Sequence, residues 1–351
     1  MRLRRSISLI LMCLMVLMTS CQHTEGNNNE INKEQEAKIQ IGMSFDSFVI
    51  ERWQRDRDVF VSMAKELGAE VNVQNANGDI EEQKNQIDYF IKKGMDVIVI
   101  VCIDSEGLKE HVDKAKDAGI KIIAYDRLIR NANVDLYISF DNEMVGTMMA
   151  ESLIERGLAG GNVLMLGGSP LDNNVALVEG GFTKVMEENN VTVLDTMHAD
   201  GWRAELAAAY IYDHEDTVAQ ADAIMCGNDN LASQVVHALA ETRMAGDKLV
   251  VGQDADLEAC QRIVEGTQVM TVYKPVEKLA QRAAECAVLL ALGEELSGND
   301  LSTVNDGSYE VPYVGLEPIS VTESNINEMI INSGFHLKED VYLNVPDKMP
   351  Q

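Results

Sequence analysis

Aromatic residues make up only 5% of this 351-residue chain, and the tryptophans among them are just two, Trp53 and Trp202. Basic residues are also few. The 29 Lys and Arg face 57 Asp and Glu, and no Lys/Arg-rich stripe follows the N-terminal arginines. A polyanion would be repelled by such a surface, so nucleic acid is not an expected partner. There is no C-x-x-C and no His at metal-ligand spacing, and Asn228-Asp229-Asn230 fails the spacing of a calcium loop and reads as a turn. No metal and no cofactor are expected. G-x-G-x-x-G after the first strand-like run, a Walker A sequence, G-x-S-x-G and H-E-x-x-H are all missing, which removes the usual signatures of nucleotide and hydrolase chemistry. No apolar run beyond the first twenty residues is long enough to span a bilayer.

What is present begins with an export signal. Arg2, Arg4 and Arg5 precede the apolar stretch from Ile7 to Met18, which is of signal-peptide length. It ends in Met18-Thr19-Ser20-Cys21, which looks like a bacterial lipobox with Met18 where leucine is usual; an ordinary secretory signal is the alternative. The reading is a lipoprotein signal peptide over 1–20, lipidation at Cys21, and a flexible Asn/Glu-rich tether over 21–37. The protein would then be extracytoplasmic, lipid-anchored to the outer face of the cell membrane. Cys102, Cys226, Cys260 and Cys286 read as buried free thiols, with a disulfide among them an open alternative.

Strand-like runs begin near Lys38, Glu70, Asp96, Lys121 and Leu136, and again near Asn162, Val191, Ala223, Lys248 and Val269. Helical patterns fill the gaps, with Gly68 as a C-terminal stop and Asp79 with Glu82 resembling a capping box. Strand and helix alternating twice over predict two α/β lobes with parallel, doubly wound sheets. After them come a helix over 276–292, a polar connector over 294–307, edge strands within 309–321 limited by Pro312 and Pro318, and a short helix over 325–331. Four of the apolar runs end in polar clusters holding Asp126, Arg127, Asp172, Asn174, Asn228 and Asp254. Open parallel sheets bind ligands beyond the carboxyl ends of their strands, so a small polar ligand is expected there. Taken singly, Asp126, Asp172 and Asp229 could each be helix caps.

ERWQRDRDVF at 51–60, ANGDIEEQ at 76–83, AYDRLI at 124–129, YISFDNEMVG at 137–146, GGSPLDNN at 167–174, DGW at 200–202, GQDADL at 252–257 and MTVYKP at 270–275 occur in order. Together they resemble bacterial D-xylose-binding proteins, the solute-binding components of ABC sugar importers in the ribose/galactose-binding group. The likeness runs from about Lys38 to about Val341. It implies a type I periplasmic binding fold: two Rossmann-like lobes joined by three hinge crossovers, with a sugar held between them. The first lobe would be 38–141 and 276–306, the second 142–275 and 307–343, with a tail over 344–351. The motif positions that meet the sugar in that family match Arg52, Trp53, Asp126, Arg127, Asp172, Asn174, Trp202, Asn228, Asp254 and Lys274. Asp46, at the end of the first strand, is a further candidate.

Sugar chemistry suits these residue types. Neighbouring hydroxyls both donate and accept, carboxylates accept, Arg and Lys donate, and an Asn amide does both. Indole faces cover the apolar C–H faces of a pyranose. The implied ligand is D-xylose or a related pentose, the implied partner an ABC permease, and the free protein a monomer. The alternative is a lipid-anchored sensor presenting its sugar-bound state to a membrane histidine kinase. Catalysis is not expected, because Arg127 and Asn174 would hold Asp126 and Asp172 ionised, which is wrong for a general acid.

Overall fold

The computed structural model describes residues 38–350; the signal segment, Cys21 and the tether lie outside them, as does Gln351. The first lobe starts β1 (Gln40–Phe45), α1 (Arg52–Glu66), β2 (Glu70–Asn75), α2 (Ile80–Lys93), β3 (Val97–Ile100), α3 (Lys109–Asp117), β4 (Lys121–Tyr125) and β5 (Leu136–Phe140). The second follows with α4 (Asn142–Glu155), β6 (Asn162–Gly167), α5 (Asn173–Glu188), β7 (Thr192–His198), α6 (Glu205–Asp213), α7 (Glu215–Gln220), β8 (Ala223–Cys226), α8 (Asp229–Glu241), β9 (Leu249–Gln253), α9 (Leu257–Glu265) and β10 (Met270–Tyr273). Then come α10 (Val276–Ala291), β11 (Leu301–Asn305), β12 (Glu310–Leu316), β13 (Ile319–Thr322), a π-helical turn at Asn327–Ile331 and α11 (Lys338–Val341).

Two sheets result, ordered β11-β12-β5-β4-β3-β1-β2 and β13-β10-β9-β8-β6-β7. All neighbours are parallel except β11 with β12 and β13 with β10. Strands β3, β5 and β8 are buried at every residue, as apolar strands covered on both faces by helices must be. Helix α2 has the ends its sequence specifies. Asp79 accepts the Glu81 and Glu82 amides, and Gly94 takes the left-handed conformation that closes it. The thiols of Cys102, Cys226, Cys260 and Cys286 are free and buried.

The chain passes between the sheets after β5, after β10, and between β12 and β13. The third passage differs from the expected division near residue 306. The connector expected over 294–307 contains β11, and β12 runs parallel to β5 inside the first sheet. Pro312 therefore sits in an interior strand, paired in register with Thr303 of β11. Pro removes one donor, and the ladder bridges it; the edge of the sheet is β11. The segment 307–316 belongs with the first lobe, and the link through Pro318 makes the crossing.

Candidate functional site

The carboxyl ends of β1, β4, β6, β8 and β9 converge on one cavity between the lobes. It is lined by Arg52, Trp53, Asp126, Arg127, Asp172, Asn174, Trp202, Asp254 and Lys274, nine of the eleven sequence candidates. Arg52 and Trp53 arrive there because α1 opens directly after the loop from β1, placing both in its first turn. Asp172 caps α5 by accepting the Asn174 amide at 2.9 Å, so capping and facing the cavity are one arrangement. Two candidates stand off the wall. Asn228 is buried at the cap of α8, accepting the Leu231 amide at 2.9 Å. Asp46 stands behind Arg127, its Oδ2 at 2.7 Å from Nη1.

Charge is compensated in chains. Arg52 donates to Asp56 through Nε (3.2 Å) and Nη2 (3.1 Å), places Nη1 2.9 Å from Asp126, and lies 4.0 Å from Asp254 across the cleft. Tyr125 donates its hydroxyl to Asp56 at 2.5 Å. Arg127 reaches the Cys102 carbonyl at 3.0 Å and lies 2.7 Å from Asp172 of the other lobe. Asn174 closes the gap further, its amide nitrogen 3.0 Å from the Asp126 carbonyl. Burial opposes ionisation of Asp126, but Arg52, Lys274 and Arg127 outweigh it and hold its carboxyl below the ordinary range. For Asp172 and Asp46 burial wins over Arg127, and both are raised. The expectation that Arg127 and Asn174 would hold both carboxylates ionised thus fares differently at the two: Asp172 has one guanidinium where Asp126 has two and a lysine.

Backbone strain collects here. Asp126 (φ 63°), Trp202 (φ 58°) and Asp254 (φ 97°) are non-glycine residues in the left-handed region, each costing on the order of 1–3 kcal/mol that the surroundings must overcome. For a residue as bulky as Trp202 this is a pronounced outlier. Its ring lies on Gly168, where any Cβ would overlap the indole, and Gly227 packs its backbone against that of Gly168.

Seven buried side-chain polar atoms among the described residues have no hydrogen-bond partner, and five belong to the cavity wall. Trp53 Nε1, Trp202 Nε1 and Arg127 Nε are donors; Gln253 Oε1 and Asp254 Oδ1 are acceptors. Arg127 Nε still has its ion pair with Asp172 but off the N–H direction, and Asp254 Oδ1 lies 3.4 Å from Lys274 Nζ. Since buried polar groups are normally satisfied, such a group of both kinds marks where a partner offering both donors and acceptors fits.

Sequence reasoning missed Ile50, Val175, Val178 and Met225, the apolar part of the wall, and Gln253 and Glu179. The last lies one turn beyond Val175 on α5 and pairs with His198 at 2.9 Å. Helical spacing of seven from the cap Asp172 could have found Glu179; the position beside Asp254 could have found Gln253.

The family description "Periplasmic binding protein domain" matches residues 41–295. The chain is 44% identical over 310 residues to the "D-xylose-binding periplasmic protein" of Haemophilus influenzae, covering 87% of this chain and 92% of that one. It is 42% identical to the protein of the same description from Escherichia coli, covering 87% and 93%. Among solved structures it is similar to an ABC transporter solute-binding protein from Clostridium phytofermentans with bound β-D-glucose. There the TM-score is 0.77 and the identity 28%, over 86% of this chain and 99% of that one.

Proposed function

This chain belongs to the periplasmic binding protein family, and on that premise we propose that it captures D-xylose, or a close pentose, outside the cytoplasm and delivers it to an ABC permease. The observation that carries the reading is the convergence of nine sugar-type side chains on one interlobe cavity, with unpartnered buried donors and acceptors among them. A pyranose has neighbouring hydroxyls to meet both kinds and apolar faces to lie against Trp53 and Trp202. Arg52, Trp53, Asp126, Arg127, Asp172, Asn174, Trp202, Asp254 and Lys274 are proposed to contact it directly. Asp46 and Asn228 act from behind, by holding Arg127 and by capping α8.

Affinity is not a physical obstacle. Ten heavy atoms at a ceiling of about 1.5 kcal/mol each allow roughly −15 kcal/mol, and micromolar binding needs only about −8 kcal/mol. Asp126, ionised among three cations, suits binding rather than proton donation. Sensing through a membrane histidine kinase would use the same cavity, and no feature of the described residues favours it. The anchor is proposed at Cys21, where acyl chains would hold an otherwise soluble body; Cys21→Ser is expected to release the protein from membranes, and unchanged membrane association would sink that assignment.

Calorimetry against xylose, ribose, arabinose, glucose and galactose tests the ligand. Xylose is expected to bind with micromolar affinity or tighter and ahead of the others. A clear preference for a hexose would overturn the pentose assignment and leave the sugar-capture reading standing.

A further inference from the structure

Gln253 ends β9, is 4% exposed and lines the cavity, yet, although it lies in the GQDADL run, it is not among the eleven residues expected to meet the ligand. Its amide orientation is fixed from outside. Nε2 donates to the carbonyl of Gly227 at 2.5 Å, and Gly227 is itself held by its amide bond to the Leu166 carbonyl at 2.7 Å. A carbonyl oxygen accepts only, so the nitrogen must face Gly227 and Oε1 must face away from it. That oxygen is buried and has no partner. The next residue, Asp254, likewise has a buried Oδ1 without a hydrogen bond, held in a left-handed turn. Two consecutive residues thus end a buried strand with an acceptor each, one neutral and rigid, the other charged and near Lys274.

We infer that Gln253 is a specificity-determining residue, its Oε1 accepting a hydrogen bond from one hydroxyl of the bound sugar beside the hydroxyl met by Asp254. The assignment rests on the sugar-capture reading and deepens it. An acceptor that cannot turn away and cannot reach water is left unsatisfied by any sugar lacking that hydroxyl, or carrying it at the other configuration. A flexible or solvated side chain would not discriminate in this way.

The test is a cycle of variant and ligand in the full chain. Gln253→Met keeps length and removes the polar atoms; xylose and its monodeoxy analogues are titrated calorimetrically into parent and variant. Xylose is expected to bind the variant roughly ten- to a hundredfold more weakly. One deoxy analogue, penalised in the parent, is expected to lose its penalty in the variant, and it identifies the hydroxyl. If every analogue keeps in the variant the penalty it has in the parent, the inference is overturned while sugar capture stands. A parent that binds none of these sugars overturns the capture reading and this assignment with it. Should Gln253→Met fail to fold, a crystal structure of the parent with xylose decides. A hydroxyl within about 2.6–3.2 Å of Oε1 supports the contact, and a water in its place overturns it.

Discussion

Asp56 in the first lobe and Asp229 in the second each stand one layer behind the cavity wall, and their surroundings differ in kind. Asp56 holds Arg52 through two N–H bonds and receives the Tyr125 hydroxyl, so a cation of the site is braced by a buried charge. Asp229 receives the Thr271 hydroxyl at 2.6 Å, the Gln268 amide at 2.8 Å and the Asp256 amide at 3.2 Å. These are neutral donors, and Arg262 reaches only the Asp229 backbone carbonyl, at 3.3 Å. What Asp229 braces is a backbone turn, 254–256, that presents Asp254. The first lobe therefore holds its Arg52 with charge, beside one left-handed residue at Asp126, whereas the second positions its polar groups mainly with shape: left-handed turns at Trp202 and Asp254, and glycines that let an indole lie on a strand end. The two means fail differently when disturbed.

The largest expected effect is on the first lobe. Arg52→Met removes the cation shared by Asp56 and Asp126, leaving Asp56 buried without one and Asp126 with only Lys274 and Arg127, at a cost on the order of 3–5 kcal/mol in stability. Sugar binding should fall at the same time. The pH dependence supplies a sharper check. In the parent, the lowered Asp126 contributes stability above the ordinary carboxylate pKa that is lost as pH falls through its folded value. Without Arg52 only Lys274 and Arg127 oppose burial, so the folded pKa rises and the variant loses less stability than the parent as pH falls through the acid range. Thermal unfolding of both proteins between about pH 2 and 5 measures this; an equal acid-side loss of stability in parent and variant would mean that Arg52 is not what holds Asp126 ionised.

A smaller effect is expected from shape. Gly168→Ala puts a methyl where the Trp202 indole lies, so the ring must move or the backbone must shift, at about 1–3 kcal/mol. The strain falls on the cavity wall and not on a buried charge. Xylose affinity is expected to drop at least roughly tenfold, with a smaller loss of melting temperature than in Arg52→Met. Calorimetry beside thermal unfolding separates the two. A variant that loses stability as heavily as Arg52→Met but keeps its affinity would break the distinction between the lobes.

This distinction also explains what could be read from the sequence. The ten strands expected in two series of five all form, because apolar runs bounded by turn residues carry their own signal. Nine of the eleven site candidates meet at the cavity, since residues just past parallel strands have one place to go. The hairpin β11–β12 was hidden by composition. LSTVN lies in a polar stretch, and Pro312 argued for an edge that β11 in fact occupies. Asn228 and Asp46 stand just off the cavity wall, because strand ends specify a neighbourhood, not a distance. Gln253 was passed over although it stands beside Asp254, because what orients its amide is the Gly227 carbonyl just past β8, distant in sequence. The left-handed turn at Trp202 has no composition signal beyond Gly201.

The smallest expected effect concerns Asp229 and reads the second lobe's brace directly. Burial pushes its carboxyl from the ordinary 3.8 up to about 7, with the Thr271 and Gln268 hydrogen bonds and Arg262 opposing and Asp254 adding to the rise. Asp256, raised by burial and by Asp229, Asp254 and Glu51, titrates beside it. A carboxyl whose folded pKa lies above its unfolded one contributes stability that is fully present below about pH 4 and is lost as pH rises through about 7. The parent should therefore melt a few degrees lower at pH 8 than at pH 5. Asp229→Asn cannot ionise, so its melting temperature should change less over that range, with Asp256 accounting for what slope is left. The substitution has its own cost. Asn offers one acceptor oxygen where three donors converge, and Gln268 cannot turn, because Arg262 donates to its Oε1 at 2.9 Å and Nε2 also serves the Met270 carbonyl at 3.0 Å. The variant should start below the parent at pH 5 and approach it by pH 8. Convergence would mean that the second lobe tolerates a titratable group because neutral donors hold it, unlike Asp56 with its cation. Parallel curves across the range would show that Asp229 is ionised throughout, and that the two aspartates are braced alike.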